Sequence, residues 1–374
     1  MIIAVNTRIL PYDFPEEYGD FVYETFKHIA GNNPGHQFIF IFDDKYDPRF
    51  VFGPHVKLVV TGSATSHPLL WKWWYDVKIP AALKKYKADV FVSCDGICSL
   101  TTKVPQCLVV HNHWFLHYPS VYKKSHLLFY KRYMPKFLSK AKSIVTISGF
   151  SKQGIIKQYK TESAAIDVVY SGVKEIFKPI DDEKKAVTKN KYSEGREYFL
   201  YAGAINPQKN LMNMLKAFSV FKKRQKTNIK LVLAGRLAKK YGSFKEDLKS
   251  YKYRNDVVLT GAVEETELVQ LIGAAYAFVY PCLYEGFATP VLEAMKCEVP
   301  VIAAINSSAQ EIAKEAALYA DVNSHTGIAD KMMLLYKDEN KRKELIAKGR
   351  EIAKQYSWEK TADLLWQGIL KACI

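Results

Sequence analysis

No stretch of about 18 consecutive uncharged apolar residues occurs in the 374-residue chain, so nothing in it reads as a membrane-spanning helix. The first apolar run begins at Ile2, without the basic segment and apolar core of a secretory signal, and the chain is expected to stay in the cytoplasm. Cysteine is sparse. None of the six (Cys94, Cys98, Cys107, Cys282, Cys297, Cys373) forms a C-x-x-C pair, and most lie in apolar surroundings, so they read as buried free thiols rather than disulfides or zinc ligands. There is no RNA-binding signature, no zinc-finger spacing, no short-period repeat, and no D-x-D at a strand end to hold a divalent cation. Acidic residues are also short, 38 Asp and Glu against 54 Lys and Arg, for a net charge of +16. That excess asks for an anionic partner and does not choose among nucleic acid, an anionic membrane face and a phosphorylated substrate.

What remains is a soluble globular composition, 48% hydrophobic and 25% charged, in a chain too long for one ordinary core. Short apolar runs alternate with helical patterns throughout. Ile2 to Asn6, Gln37 to Phe42, Val56 to Val60, Val90 to Ser93, Cys107 to Val110 and Ser143 to Ile147 read as strands of one sheet. A second series comprises Glu197 to Ala202, Ile229 to Ala234, Val257 to Thr260, Ala275 to Tyr280 and Val299 to Ala303. This alternation predicts an α/β fold with two doubly wound sheets. Tyr170 to Pro179 and the charged run Asp181 to Lys191 separate the series, placing a boundary near 172 to 192. The tail Trp358 to Ile374 reads as an amphipathic helix with Ala362, Leu365, Trp366, Ile369 and Leu370 on one face.

The segment Tyr284-Glu-Gly-Phe-Ala-Thr-Pro-Val-Leu-Glu-Ala-Met295 carries the most chemistry. It follows an apolar strand, Gly286 permits a tight turn, and Pro290 fits the first turn of a helix. A helix N-terminus there would receive a diphosphate, with Glu285 before the helix and Glu293 inside it meeting opposite ends of one ligand. A surface loop with two solvated carboxylates has the same spacing, and only the whole segment argues against it.

In this segment the chain resembles the retaining glycosyltransferases of family 4, which carry E-G-F-x-x-x-x-L-E at this place. The resemblance runs from Ile2-Ile-Ala-Val-Asn-Thr-Arg8 to Tyr356-Ser-Trp-Glu-Lys-Thr-Ala362, with the motifs in the family's order. It implies the GT-B fold: two doubly wound Rossmann-like domains facing a cleft, with a C-terminal helix crossing back to the first domain. Residues 1–171 would form the acceptor-side domain, 172–355 the nucleotide-sugar-binding domain, and 356–374 the returning helix.

The loop Tyr201-Ala-Gly-Ala-Ile-Asn-Pro-Gln-Lys-Asn-Leu211 resembles the family's G-x-x-x-P-x-K-N, which implies Lys209 on the leaving diphosphate and Asn210 in donor binding. Ala204 and Gln208 stand where many relatives have arginine. Arg236 matches an often basic position and would supply a second cation, although a strand-end arginine is also commonly just solvated. Cys107 to Pro119 resembles a strand ending in H-D-x-x-F-x-x-x-P, implying that His111 hydrogen-bonds the transferred sugar. Asn112 replaces the aspartate and cannot hold a charge. His113 and His117 read as acceptor-cleft or structural groups, because their spacing fixes no tetrahedral metal site. Pro15 to Glu24 resembles the glycine loop that leads into the first helix, with Gly19 letting backbone approach donor phosphate or acceptor. Ser148 reads mainly as a helix cap.

The resemblance thus implies a retaining hexosyltransferase with His111, Lys209, Arg236 and Glu285 at the reacting centre. Glu293 would hold the ribose hydroxyls, Glu285 the sugar hydroxyls, and the backbone of Gly286, Phe287, Ala288 and Thr289 the diphosphate, while backbone near Gly261 to Val263 would make the base pocket. The donor would be GDP-mannose or a UDP-sugar and the acceptor a glycan or lipid-linked glycan of cell-surface polysaccharide or lipopolysaccharide. No metal or other cofactor is expected, since fixed cations and backbone dipoles replace it, and no nucleic-acid partner. A nucleotide-sugar 2-epimerase of similar fold and a non-catalytic nucleotide-sugar-binding protein stay open. Trp71-Lys-Trp-Trp74 and Tyr122 to Tyr133 mix basic residues with aromatics, which fits a peripheral contact with an anionic membrane face or a solvated basic face over a packed core.

Overall fold

The computed structural model describes residues 1–8, 16–62, 67–111, 119, 123–238 and 241–374, with backbone alone at 16 and 17. The chain divides into two compact units, Met1–Gly172 with Ser357–Ile374, and Val173–Tyr356. Among the described residues no helix is long and apolar enough to cross a membrane.

The first unit holds seven parallel strands: β1 (Ile2–Asn6), β2 (Gln37–Phe42), β3 (Val56–Val60), β4 (Val90–Ser93), β5 (Gln106–Val110), β6 (Ser143–Thr146) and β7 (Ile166–Val168). Their order is β3-β2-β1-β4-β5-β6-β7. The middle strands are apolar on both faces because helices cover both, and Val5 lies between Phe40 and Val92 in register. The chain winds outward from β1 to β3 and restarts at β4 on the other side of β1. That reversal is a topological switch point, where parallel sheets bind ligands at their carboxyl ends.

The helix Trp358–Ala372 belongs to this unit and packs against the helix Glu16–Asn32 and β6. Ser357 caps it, Thr361 Oγ1 donates to the Tyr170 carbonyl at 2.7 Å, and Ala362, Leu365 and Ile369 are buried. Leu370, expected on that face, is exposed, because one residue past Ile369 the helix has turned about 100° toward solvent. A Cβ at Gly172 would lie 2.4 Å from the Trp358 nitrogen, so only glycine lets the chain pass the start of this helix.

The second unit holds six parallel strands: β8 (Tyr198–Ala202), β9 (Lys230–Ala234), β10 (Val257–Gly261), β11 (Ala277–Tyr280), β12 (Val301–Ala304) and β13 (Ala317–Ala320). The order β10-β9-β8-β11-β12-β13 puts the switch point between β8 and β11. The sequence reading missed β7 and β13. Both are edge strands, β7 only Ile-Asp-Val and β13 Ala-Leu-Tyr-Ala, too short and too weak in β-propensity to stand out. All six cysteines are free, and only Cys373 is exposed.

Candidate functional site

In the second unit the loops after β8 and β11 meet at the switch point. Asn206 starts a turn at Pro207–Lys209 by accepting the Gln208 amide at 3.1 Å, and Asn210 ends it in the left-handed region at φ 59°. The turn points Lys209 inward. Its ammonium pairs with Glu285 and donates to the Tyr280 hydroxyl at 3.1 Å, and that hydroxyl donates to Glu285 Oε2 at 3.0 Å. The Tyr280 ring stacks on Tyr201 with centroids 6.1 Å apart, fixing the hydroxyl's position. Ser308 Oγ donates to the Glu285 carbonyl at 2.9 Å, and the Leu283 amide reaches the carbonyl of buried Gln208 at 2.9 Å, so the two loops are tied together. The loop after β9 is pressed against the same place: a Cβ on Gly235 would lie 1.9 Å from the Gly203 carbonyl oxygen.

The helix Thr289–Lys296 follows with Pro290 in its first turn. Phe287 and Ala288 are buried at its start, and Glu293 is half-buried one turn in. Arg236, two residues past β9, is exposed and makes no side-chain hydrogen bond or ion pair among the described residues, so it does not join the Lys209 cluster. Val263 lies beyond β10, after Gly261 at φ +73°. The strand order therefore places Val263, Arg236, Lys209 and Glu285 in sequence along one carboxyl edge. Asn210, expected to contact donor, gives its amide nitrogen to the Val322 carbonyl at 2.8 Å beside Asn213 at 3.0 Å. That is a structural tie made by a residue whose backbone also terminates the turn.

In the first unit His111 follows β5 and is buried between Tyr18, stacked at 4.5 Å, and the edge-on ring of Phe21 at 4.9 Å. Burial pushes its pKa down to about 4, only partly offset by the Cys94 backbone and Asp95, so the imidazole is neutral at pH 7. Its Nε2 has no hydrogen-bond partner among the described residues. Gly19 lies within the helix Glu16–Asn32 rather than in a loop before it. With no second glycine to hold a loop open, the helix starts ahead of Gly19. Ser148 caps the helix Gly149–Tyr159 by accepting the Ser151 amide at 3.0 Å. Asn112, His113 and His117 lie outside the described residues.

The same edge carries a cluster that the sequence reading did not assign. Arg8, just past β1, places Nε and Nη2 at 3.2 and 3.0 Å from Asp95 Oδ2, just past β4, and the Tyr75 hydroxyl donates to Asp95 Oδ1 at 2.5 Å. Trp71 lies over the guanidinium at 4.8 Å. Burial works against the Arg8 charge, and Asp95, Tyr75 and Tyr130 more than restore it. Asp43, just past β2, is buried as well. The signal available in the sequence was a charged residue one or two positions past a mainly apolar strand of a parallel sheet, as Arg8 after β1, Asp43 after β2 and Asp95 after β4. Of the tryptophans whose segment fitted either a membrane contact or a basic face over a packed core, Trp71 and Trp74 are buried, Trp71 against Arg8 and Trp74 through a 2.8 Å bond from its Nε1 to Thr61, while Trp73 is exposed.

Two family models match the chain, Glycosyltransferase Family 4 over residues 21–175 and Glycosyl transferases group 1 over 182–352. The chain belongs to this family. It is 29% identical over 247 residues to O-antigen chain mannosyltransferase B of Escherichia coli, a match covering 64% of each chain and so just under two-thirds of that relative's length. Among solved structures it resembles WaaG, a glycosyltransferase involved in lipopolysaccharide biosynthesis, with a TM-score of 0.76 at 14% identity over 98% of this chain and 99% of that one. HepE of Anabaena, in complex with UDP-glucose, matches with a TM-score of 0.74 at 15% identity over 98% of each chain. Those identities speak for the fold alone, which is GT-B.

Proposed function

We propose that this chain transfers a hexosyl group, with retention of configuration, from a nucleotide-diphosphate sugar to a glycan or lipid-linked acceptor in polysaccharide or lipopolysaccharide synthesis. The observation that carries the reading is the Lys209–Tyr280–Glu285 cluster at the switch point of the second unit, beside the N-terminus of the helix Thr289–Lys296. A diphosphate entering there meets a lysine already held in place. Glu285 and Tyr280 accept and donate hydrogen bonds to the sugar hydroxyls, and Glu293 accepts from the ribose.

As the glycosidic bond lengthens, negative charge grows on the departing phosphate while the sugar becomes oxocarbenium-like. Lys209, the helix N-terminus and Arg236, drawn in from its solvated position, stabilise that charge without a divalent cation. A phosphate oxygen takes the acceptor's proton on the face that the leaving group vacates. His111, neutral, accepts a hydrogen bond from a sugar hydroxyl. The mannosyltransferase relative favours GDP-mannose as donor, and the HepE complex keeps UDP-sugars in the set.

The test is transfer from a panel of GDP- and UDP-sugars in excess chelator, alongside thermal shifts with the same donors, since a bound donor stabilises the fold by mass action. Donor-specific stabilisation with metal-independent transfer is expected. Donor turned over only to an epimerised free sugar would replace this reading by the 2-epimerase one.

A further inference from the structure

The carboxyl edge of the first unit's sheet carries, in strand order, Asp43 after β2, Arg8 after β1, Asp95 after β4 and His111 after β5. The middle pair satisfies itself. The end at β2 does not: Asp43 is 1% exposed, and neither carboxylate oxygen accepts a hydrogen bond from another described residue. Nine-tenths or more of buried polar groups in folded proteins have a partner, and a buried carboxylate oxygen without a donor costs stability. The groups facing it do not remove that cost. Burial raises its pKa to about 6; Arg8 and the residue's own amide pull it down, while Asp95 and Asp44 push it up.

We propose that Asp43 is an acceptor-positioning residue whose two carboxylate oxygens accept hydrogen bonds from neighbouring hydroxyl groups of the acceptor sugar. A neutral polyol fits better than an amine or other cation, because a second positive charge there would meet the buried Arg8 guanidinium in a low-dielectric setting. Both oxygens are closed to water, so the sugar enters as the side chains around them part. The proposal rests on the glycosyl-transfer reading above.

The pKa supplies an independent signature. A carboxyl raised from its ordinary value to about 6 binds its proton more tightly in the folded chain than in the unfolded one, so stability is full below about pH 4 and is lost as pH rises through about 6. Asp43→Asn removes the charge and should therefore raise Tm by a few degrees at pH 7.5 and leave it unchanged at pH 4. A residue that costs stability and is needed for binding behaves this way; one that braces the fold does the reverse.

The direct test titrates the full-length wild type, Asp43→Asn and Asp43→Ala with methyl α-mannopyranoside and methyl α-glucopyranoside by saturation-transfer NMR, and with GDP and UDP by thermal shift. Both variants should bind at least one glycoside tenfold or more weakly and keep nucleoside-diphosphate affinity within twofold. Wild type binding neither glycoside, or variants binding them as wild type does, overturns the proposal. Glycoside binding that depends on Asp43 in a chain that transfers nothing overturns the transfer reading instead. Normal transfer with an unchanged acceptor KM in Asp43→Asn leaves transfer standing and removes the role of Asp43.

Discussion

Each unit places a cation, a carboxylate and a tyrosine hydroxyl at its own switch point, and the two clusters are closed to different degrees. In the first, the Arg8 and Asp95 side chains are 5% and 1% exposed, and Tyr75 fills the carboxylate's second oxygen. In the second, Lys209 and Glu285 are 10% and 19% exposed, and the lysine brings one flexible ammonium where the arginine brings a planar fork under Trp71. Arg8 commits its Nε and Nη2 to Asp95. Lys209 can exchange Glu285 for a phosphate with little rearrangement of its stem. Under the proposed function the same topological position serves as a brace in one unit and as a binding site in the other.

The largest expected effect follows from the brace. Asp95→Ala leaves Arg8 buried and unpaired, which should cost about 3–5 kcal/mol and appear as a marked fall in the first thermal transition. Melting like the wild type would end the contrast, because the pair would then be dispensable. Glu285→Ala should act on chemistry rather than on the fold: kcat falls on the order of ten- to a thousand-fold, about 1.4–4 kcal/mol of transition-state stabilisation, while Lys209 turns its ammonium to nearby solvent and Tm changes little. Equal unfolding of the Glu285 and Asp95 variants would make both clusters braces.

Smaller and more selective is Glu293→Ala. If Glu293 holds the ribose, it binds ground and transition states alike, so donor KM should rise about tenfold with kcat nearly kept. Free nucleoside diphosphate separates the two glutamates, since it keeps the ribose and lacks the sugar. Its affinity should drop in the Glu293 variant and hold in the Glu285 variant; equal losses in both would remove the division of labour.

The second cluster was legible because one stretch of sequence carries Glu285 and the helix that follows, and because Lys209 sits in a loop with its own glycine, proline and asparagine signals. The first was not, because Arg8 and Asp95 are 87 positions apart and nothing local to either announces the partner. Both central sheets could be read from apolar runs, while β7 and β13 lacked the length to register. Gly19 was misplaced for a related reason: glycine after a strand suggests a loop, yet a single glycine does not keep a helix from forming through it, and Gly19 lies inside Glu16–Asn32. Asn210 shows a further limit. Its side chain is engaged by a carbonyl at Val322, a contact that only the tertiary structure supplies.

The smallest expected effect sharpens the comparison at the surface. On the first unit, Leu69, Leu70, Trp73 and Val77 are exposed on the continuous helical segment formed by Pro68–Trp73 and Trp74–Lys78. At about 100° per residue they fall within one narrow arc. The helix Lys124–Lys140 packs beside Pro68–Trp73 and adds exposed Leu128 among Lys124, Lys131, Arg132 and Lys136. Apolar side chains ringed by cations suit an anionic bilayer surface, where each lysine or arginine contributes about 1 kcal/mol. The protein should therefore co-sediment with phosphatidylglycerol vesicles at low salt and be released as salt shortens the screening length from about 10 Å at 0.1 M to about 3 Å at 1 M. Trp73→Ser should weaken that binding severalfold, and sugar transfer to a soluble acceptor should be unaffected. Equal binding to neutral phosphatidylcholine vesicles, or none to anionic ones at low salt, would leave this face as ordinary solvated surface and confine the difference between the units to their switch points.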